Sequence, residues 1–194
     1  MSTWQKLVNL DVRILWVLLV VALLVPMVKP IGLPLPMKEE TKAGFDYAES
    51  LPSGSYVMMS INVSPMGEPE VWPSAIAQFR HFMNKGFKII LVNTVPEGTM
   101  YAERLWKEFG PEKNYEYGKD VVQMPFRAGD ESTIASMGAD FRGLFATDQD
   151  GTPLSQLPIF NGFTGKFKRS IYIIFVVFAR NCLWIFYQQE KLAD

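Results

Sequence analysis

The chain is poor in the residues that most often carry chemistry. Among its 194 residues it has one cysteine, Cys182, and one histidine, His81. A single cysteine excludes an intrachain disulfide and a cysteine-based zinc site within one chain. Any Ser-His or Cys-His pair would have to use His81. Helical spacing puts that residue on one face with Gln78 and Lys85, as an exposed side chain rather than a general base. No charge of one sign dominates. The 19 basic and 20 acidic residues leave a net charge of −1, which argues against a nucleic-acid binder. Signature loops are missing too. Where a Gly-x-Gly-x-x-Gly would follow the first strand, Asn62-Val63-Ser64-Pro65-Met66-Gly67 stands instead, and there is no Walker loop or Gly-x-Ser-x-Gly elbow. No catalytic class and no cofactor follows from these residues. Mean hydropathy is only +0.07, so a polytopic membrane protein is excluded and the apolar runs lie at the ends.

The first such run is the clearest feature. Residues 14–28 (ILWVLLVVALLVPMV) carry no charge, and extension back to Asn9 gives about 20 residues, the length of a spanning helix. Asp11 and Arg13 fall in its first turn, near the headgroups. A cleaved signal peptide fits less well, because Pro26, Lys29 and Pro30 stand where a small-x-small site belongs. A buried core helix is the third reading. We therefore expect a transmembrane anchor over 1–30, with the lipid bilayer as its partner. Lys6 and Arg13 on one side nearly balance Lys29, Lys38 and Lys42 on the other. If the C-terminal run also spans, Lys166, Lys168 and Arg169 add a slight lean towards a cytoplasmic domain.

Residues 31–54 read as a proline-rich connector (through KPIGLPLP) and a short helix over 38–51, ended by Pro52-Ser53-Gly54. The region 55–165 then alternates strand and helix. Expected strands are 56–63, 87–92 and 120–126; expected helices are 71–85, 99–109 and 132–145. Such alternation implies parallel pairing with right-handed crossovers. The fold class is α/β: a small three-layer, mostly parallel, Rossmann-like or flavodoxin-like sheet of three or four βα units. The tail, 166–194, is ambiguous. Its run 171–187 is either a fourth strand or a short second membrane helix with Arg180 and Asn181 inside it. So thin a sheet should need a second copy, a partner subunit or the membrane to cover it.

Ligands of open parallel sheets bind on the loops at the carboxyl ends of the strands. Here those loops offer Asn62, Ser64, Asn93, Thr94, Arg127, Asp130 and Ser132 as candidate ligand-binding residues. The loop 127–132 leads, since it joins a strand to a helix N-terminus, where backbone N–H groups favour anions. The competing reading is a helix cap by Asp130 or Ser132, with Arg127 solvated. No metal site is expected. Asp148-Gln149-Asp150-Gly151 opens like a calcium loop but lacks the later ligands, and it reads as a turn. Glu68, Glu70, Glu97, Asp130 and Glu131 could gather at the strand ends around a divalent ion, but they read better as a solvated acidic rim.

Tyr117-Gly118-x-Asp120, Gly129-x-Glu131 and Thr147-Asp148-x-x-Gly151-Thr152-Pro153 with Leu157-Pro158 resemble a group of uncharacterised bacterial and archaeal membrane proteins. The layout over residues 10–160 is similar as well: an anchor, a proline-rich exit and a Rossmann-like domain. The resemblance implies no activity. Beyond Pro158 the chain departs from it, with the polar stretch 166–170 and the Arg180-Asn181 break. The expected function is a membrane-tethered interaction or assembly module, with a protein partner or a homo-oligomer. The alternative is a membrane-anchored enzyme or anion binder using the strand-end loops. A truncated product of a longer gene is a third reading.

Overall fold

The computed structural model describes residues 11–29, 39–129, 133, 136–137, 140–163 and 171–176; of Glu40 and of 171–176 it describes the backbone alone. The chain divides into two compact units, Met1–Met37 and Lys38–Asp194.

In the first unit, helix α1 covers Val12–Val28. Asp11 begins it, its carboxylate accepting from the Arg13 N–H at 3.0 Å. Pro26 lies inside the last turns. Every residue from Asp11 to Lys29 is exposed. Among the described residues no helix is long and apolar enough to cross a membrane. The 17 residues of α1 reach about 25 Å, against a hydrocarbon core of about 30 Å. The transmembrane span expected from the sequence thus goes beyond the described helix, and residues 1–10 and 30–38 lie outside the described residues.

The second unit is α/β with a parallel sheet. Helix α2 (Glu39–Ser50) precedes β1 (Tyr56–Ile61), α3 (Glu68–Lys85), β2 (Lys88–Val92), α4 (Gly98–Phe109), β3 (Val121–Gln123), α5 (Phe141–Leu144) and β4 (Ile171–Val176). The strand order is β3-β2-β1-β4, and every pairing is parallel. β4 joins β1 in the register Tyr56↔Ile171 to Ile61↔Val176. The chain thus steps outward from β1 to β3, then returns to the opposite edge of β1. Residues 164–170 and 177–194 lie outside the described residues.

Helix α3 forms because Val71, Ala75, Phe79, Phe82 and Met83 recur at helical spacing and all are buried. It stops at Gly86, whose φ of 71° lets its N–H reach Met83 O. Helix α4 buries Tyr101, Ala102, Leu105 and Phe109 in the same way. With α2 these helices cover one face of the sheet, against Val57, Met59, Ile61, Ile89 and Leu91. The other face carries Met58, Ile90, Val92 and Val122 and is covered by Met137, Phe141, Phe145, Leu154, Ile159, Phe160 and Phe163. Phe141 stands 5.0–6.0 Å, centroid to centroid, from Phe145, Phe160 and Phe163.

Three expectations need correction. Strand β3 is shorter than 120–126, because Pro125 has no N–H to continue the ladder. A single helix over 132–145 does not form. Asp140 has extended backbone (φ −147°, ψ 82°) and caps a new turn, its carboxylate accepting from Gly143 N. The sheet is also less bare than its strand count suggests, since loop and 3-10 segments of this chain cover its second face.

Candidate functional site at the carboxyl ends of the strands

The strand order places the topological switch point between β1 and β4, where the chain leaves adjacent strands and an open α/β sheet forms its crevice. The loop bordering it is 62–67, after β1. The loop favoured from sequence, 127–132, follows the edge strand β3 instead. Sequence spacing could not tell these apart, because the switch point depends on the side on which β4 joins.

The structure brings four of the seven expected residues together. Asn62 accepts from the backbone N–H of Thr94 at 2.9 Å. Asn93 is fully buried and donates from Nδ2 to Thr99 Oγ1 at 2.8 Å. Its carbonyl accepts from Arg127 N at 3.2 Å. The Arg127 guanidinium donates to Leu144 O at 2.7 Å and lies over the Phe145 ring. Ser64 is exposed, and its carbonyl accepts from Gly67 N. Asp130 and Ser132 lie outside the described residues.

One glycine sets how closely α4 approaches β1. A Cβ on Gly98 would come within 2.1 Å of Ile61 O and 3.0 Å of Asn93 Cβ. Only glycine lets the first turn of α4 press against the end of β1. Nearby Gln123 links strand to helix, donating to Thr99 O at 2.9 Å and accepting from the Trp106 indole at 3.3 Å. Most of the polar groups at the strand ends thus serve each other. Two buried acceptors do not: Asn93 Oδ1 and Ser60 Oγ have no hydrogen-bond partner. Ser60 escaped the sequence reading because it sits inside the apolar run YVMMSI.

The helix N-termini here do not suit an anion. Glu68 and Glu70 occupy the first turn of α3, and Glu97 stands at the N-cap position of α4 without a side-chain cap bond. Their negative charge opposes an anion at these N-termini. Glu68 accepts from the Tyr101 hydroxyl and from Arg104 Nη1, both at 2.9 Å. The Tyr101 bond first, and then Arg104, holds its carboxyl below the usual range. Among the described residues no three His, Cys, Asp or Glu side chains gather closely enough to hold a metal ion.

His81 is far from this crevice in the fold. It is half-buried rather than exposed: Phe45 of α2 packs on its ring at 4.9 Å, and Nε2 lies 3.5 Å from Glu49 Oε1. The helix face read as solvated is therefore the seat of α2, which sequence periodicity on α3 alone does not reveal.

The calcium-like loop is a surface turn pinned by one buried carboxylate. Asp148 is 1 % exposed; its Oδ1 accepts from Asp150 N and Thr152 N at 3.0 and 2.7 Å. Oδ2 accepts from the Tyr117 hydroxyl at 3.2 Å. Burial first, then the Asp148 charge, pushes the Tyr117 phenol well above its ordinary value. Gly118 O accepts from Ile159 N, and Gln123 O from Gln149 N. Tyr117, Gly118, Asp148 and Thr152 are thus one structural knot that fastens the second-face loops to β3.

Compared with known proteins, the chain matches no family model, no curated protein and no solved structure.

Proposed function

We propose that this protein is a membrane-tethered α/β interaction or assembly module, held by its N-terminal apolar segment. The observation that carries the reading is α1: its side chains from Ile14 to Val28 are charge-free and every one is exposed. So much apolar surface is costly in water, at about 25 cal/mol per Å2. A bilayer is the medium that removes it without a dedicated protein groove. The interaction reading draws support from the strand ends, where Asn62, Asn93, Gln123 and Arg127 are engaged in bonds within the domain.

The test is alkaline carbonate extraction of membranes from cells expressing the full chain. The chain should stay in the pellet. Val20→Arg places a charge mid-helix, at about 2.5–3.5 kcal/mol on insertion scales, and should move most of the chain to the supernatant. A native chain that washes off would overturn the tether. Arg127→Ala should leave partner association unchanged; under the ligand-binding alternative it would instead abolish ligand-induced stabilisation.

A further inference from the structure

Among the described residues, few large apolar side chains of the α/β domain are exposed, and three of them stand in or just after its strand-end loops. Met66, between β1 and α3, is 96 % exposed; Met100, in the first turn of α4, 60 %; Phe126, after β3, 36 %. They belong to one connected rim. The Glu68–Tyr101 bond fastens the start of α3 to α4 between Met66 and Met100. The Asn93–Thr99 bond and the Arg127 N–Asn93 O bond carry the connection on to Phe126.

Among the described residues of this rim carboxylates outnumber cations: Glu68, Glu70 and Glu97 stand against Arg104 and the exposed Arg127. Glu70 and Glu97 are exposed and take part in no ion pair among the described residues. Several carboxylates elsewhere on the helices are matched, as in Arg80–Glu112 and Lys85–Glu49, although among the described residues Glu39 and Asp46 of α2 are not. The nearby cations are committed: Arg104 to Glu68 and Glu108, Arg127 to the Leu144 carbonyl on the second face. Methionine is the side chain best able to repack against varied apolar partners. An anionic lipid surface would be repelled by the same carboxylates.

We propose that this rim docks a segment of a partner protein that presents apolar and basic side chains together. The methionines would take its apolar face, and Glu70 and Glu97 its cations. The proposal deepens the interaction-module reading and rests on it.

The test uses the full chain in its native membrane, with a photo-crosslinking residue in place of Met66 and, separately, of Phe45. Support is a discrete product from Met66 whose crosslinked partner peptide carries both apolar and basic residues. Its yield should drop roughly fivefold in the Glu70→Gln/Glu97→Gln double variant and with added salt. A product insensitive to both, a neutral or acidic peptide, a second copy of this chain, or lipid would each overturn the proposal. A product from Phe45 with none from Met66 sinks the rim but leaves the module reading standing. No product from either position counts against both.

Discussion

Helix α1 and strand β2 are both built from large aliphatic side chains, yet their surroundings are opposite. Leu18, Val20 and Leu23 are 64 %, 48 % and 62 % exposed, whereas Ile89, Ile90, Leu91 and Val92 are wholly buried. The difference lies in the backbone. A helix satisfies its own N–H and C=O groups, so α1 is complete without neighbours and can meet any apolar medium on all sides. A strand is half finished until others pair with it. β2 acquires β1 on one side and β3 on the other, and those pairings bring the layers that bury its side chains.

The strongest way to break this comparison is one charge in each run. Ile90→Arg should abolish the cooperative unfolding of the α/β domain, since a buried unpaired charge has nothing to offset its desolvation. Val20→Arg should leave that transition unchanged in detergent. Equal losses in both variants, read by near-ultraviolet circular dichroism, would show that the two units are not independent.

A gentler cut within the core is Phe79→Ala. Phe79 is fully buried between α3 and the sheet, and its truncation should cost about 3–5 kcal/mol in denaturant melts. Leu19→Ala in α1 should cost the domain nothing measurable. Next comes Asp148→Ala, which removes three hydrogen bonds and leaves the Tyr117 hydroxyl without its acceptor. About 3 kcal/mol is expected, as a lower midpoint at constant slope. A metal-binding loop would behave differently: calcium would raise the wild-type midpoint, and none is expected to. Asn93→Ala should cost about 1 kcal/mol, because Asn93 Oδ1 is already unpartnered.

The smallest effect appears only in alkali. Burial first, and the Asp120 charge second, push the Tyr115 phenol from 10.0 to about 12. The folded state therefore holds that proton after the unfolded chain has released it. Stability from this group is intact below pH 10 and falls as the pH rises towards 12. In Tyr115→Phe this alkaline slope should flatten, as measured by unfolding at stepped pH. An unchanged slope would assign it to other groups, Tyr117 first, whose phenol is raised in the same direction.

Much of the fold is legible along the chain. Val71, Ala75, Phe79 and Met83 declare α3 by spacing, and Gly86 ends it; Ala102, Leu105 and Phe109 do the same for α4. The runs YVMMSI and KIILV are strands by length and composition. These signals are local, set by neighbours three or four residues away. The site was less legible. Asn62, Asn93, Thr94 and Arg127 were found because strand-end loops can be read from strand boundaries. That Asn62 meets Thr94 required the register of β1 on β2, and that Asn93 O meets Arg127 N required that of β2 on β3.

What the sequence determined by itself is therefore the periodic part: an apolar N-terminal helix, alternating strands and helices, and a chain without the usual catalytic motifs. Tertiary structure alone decided that β4 lies beside β1, moving the switch point away from 127–132. It also decided that His81 is covered by Phe45, and that Asp148 is buried with its carboxylate on the Tyr117 hydroxyl. The physical reason is common to all three. Each depends on contacts between residues about thirty or more positions apart, and no local spacing encodes which of the possible partners will pack there.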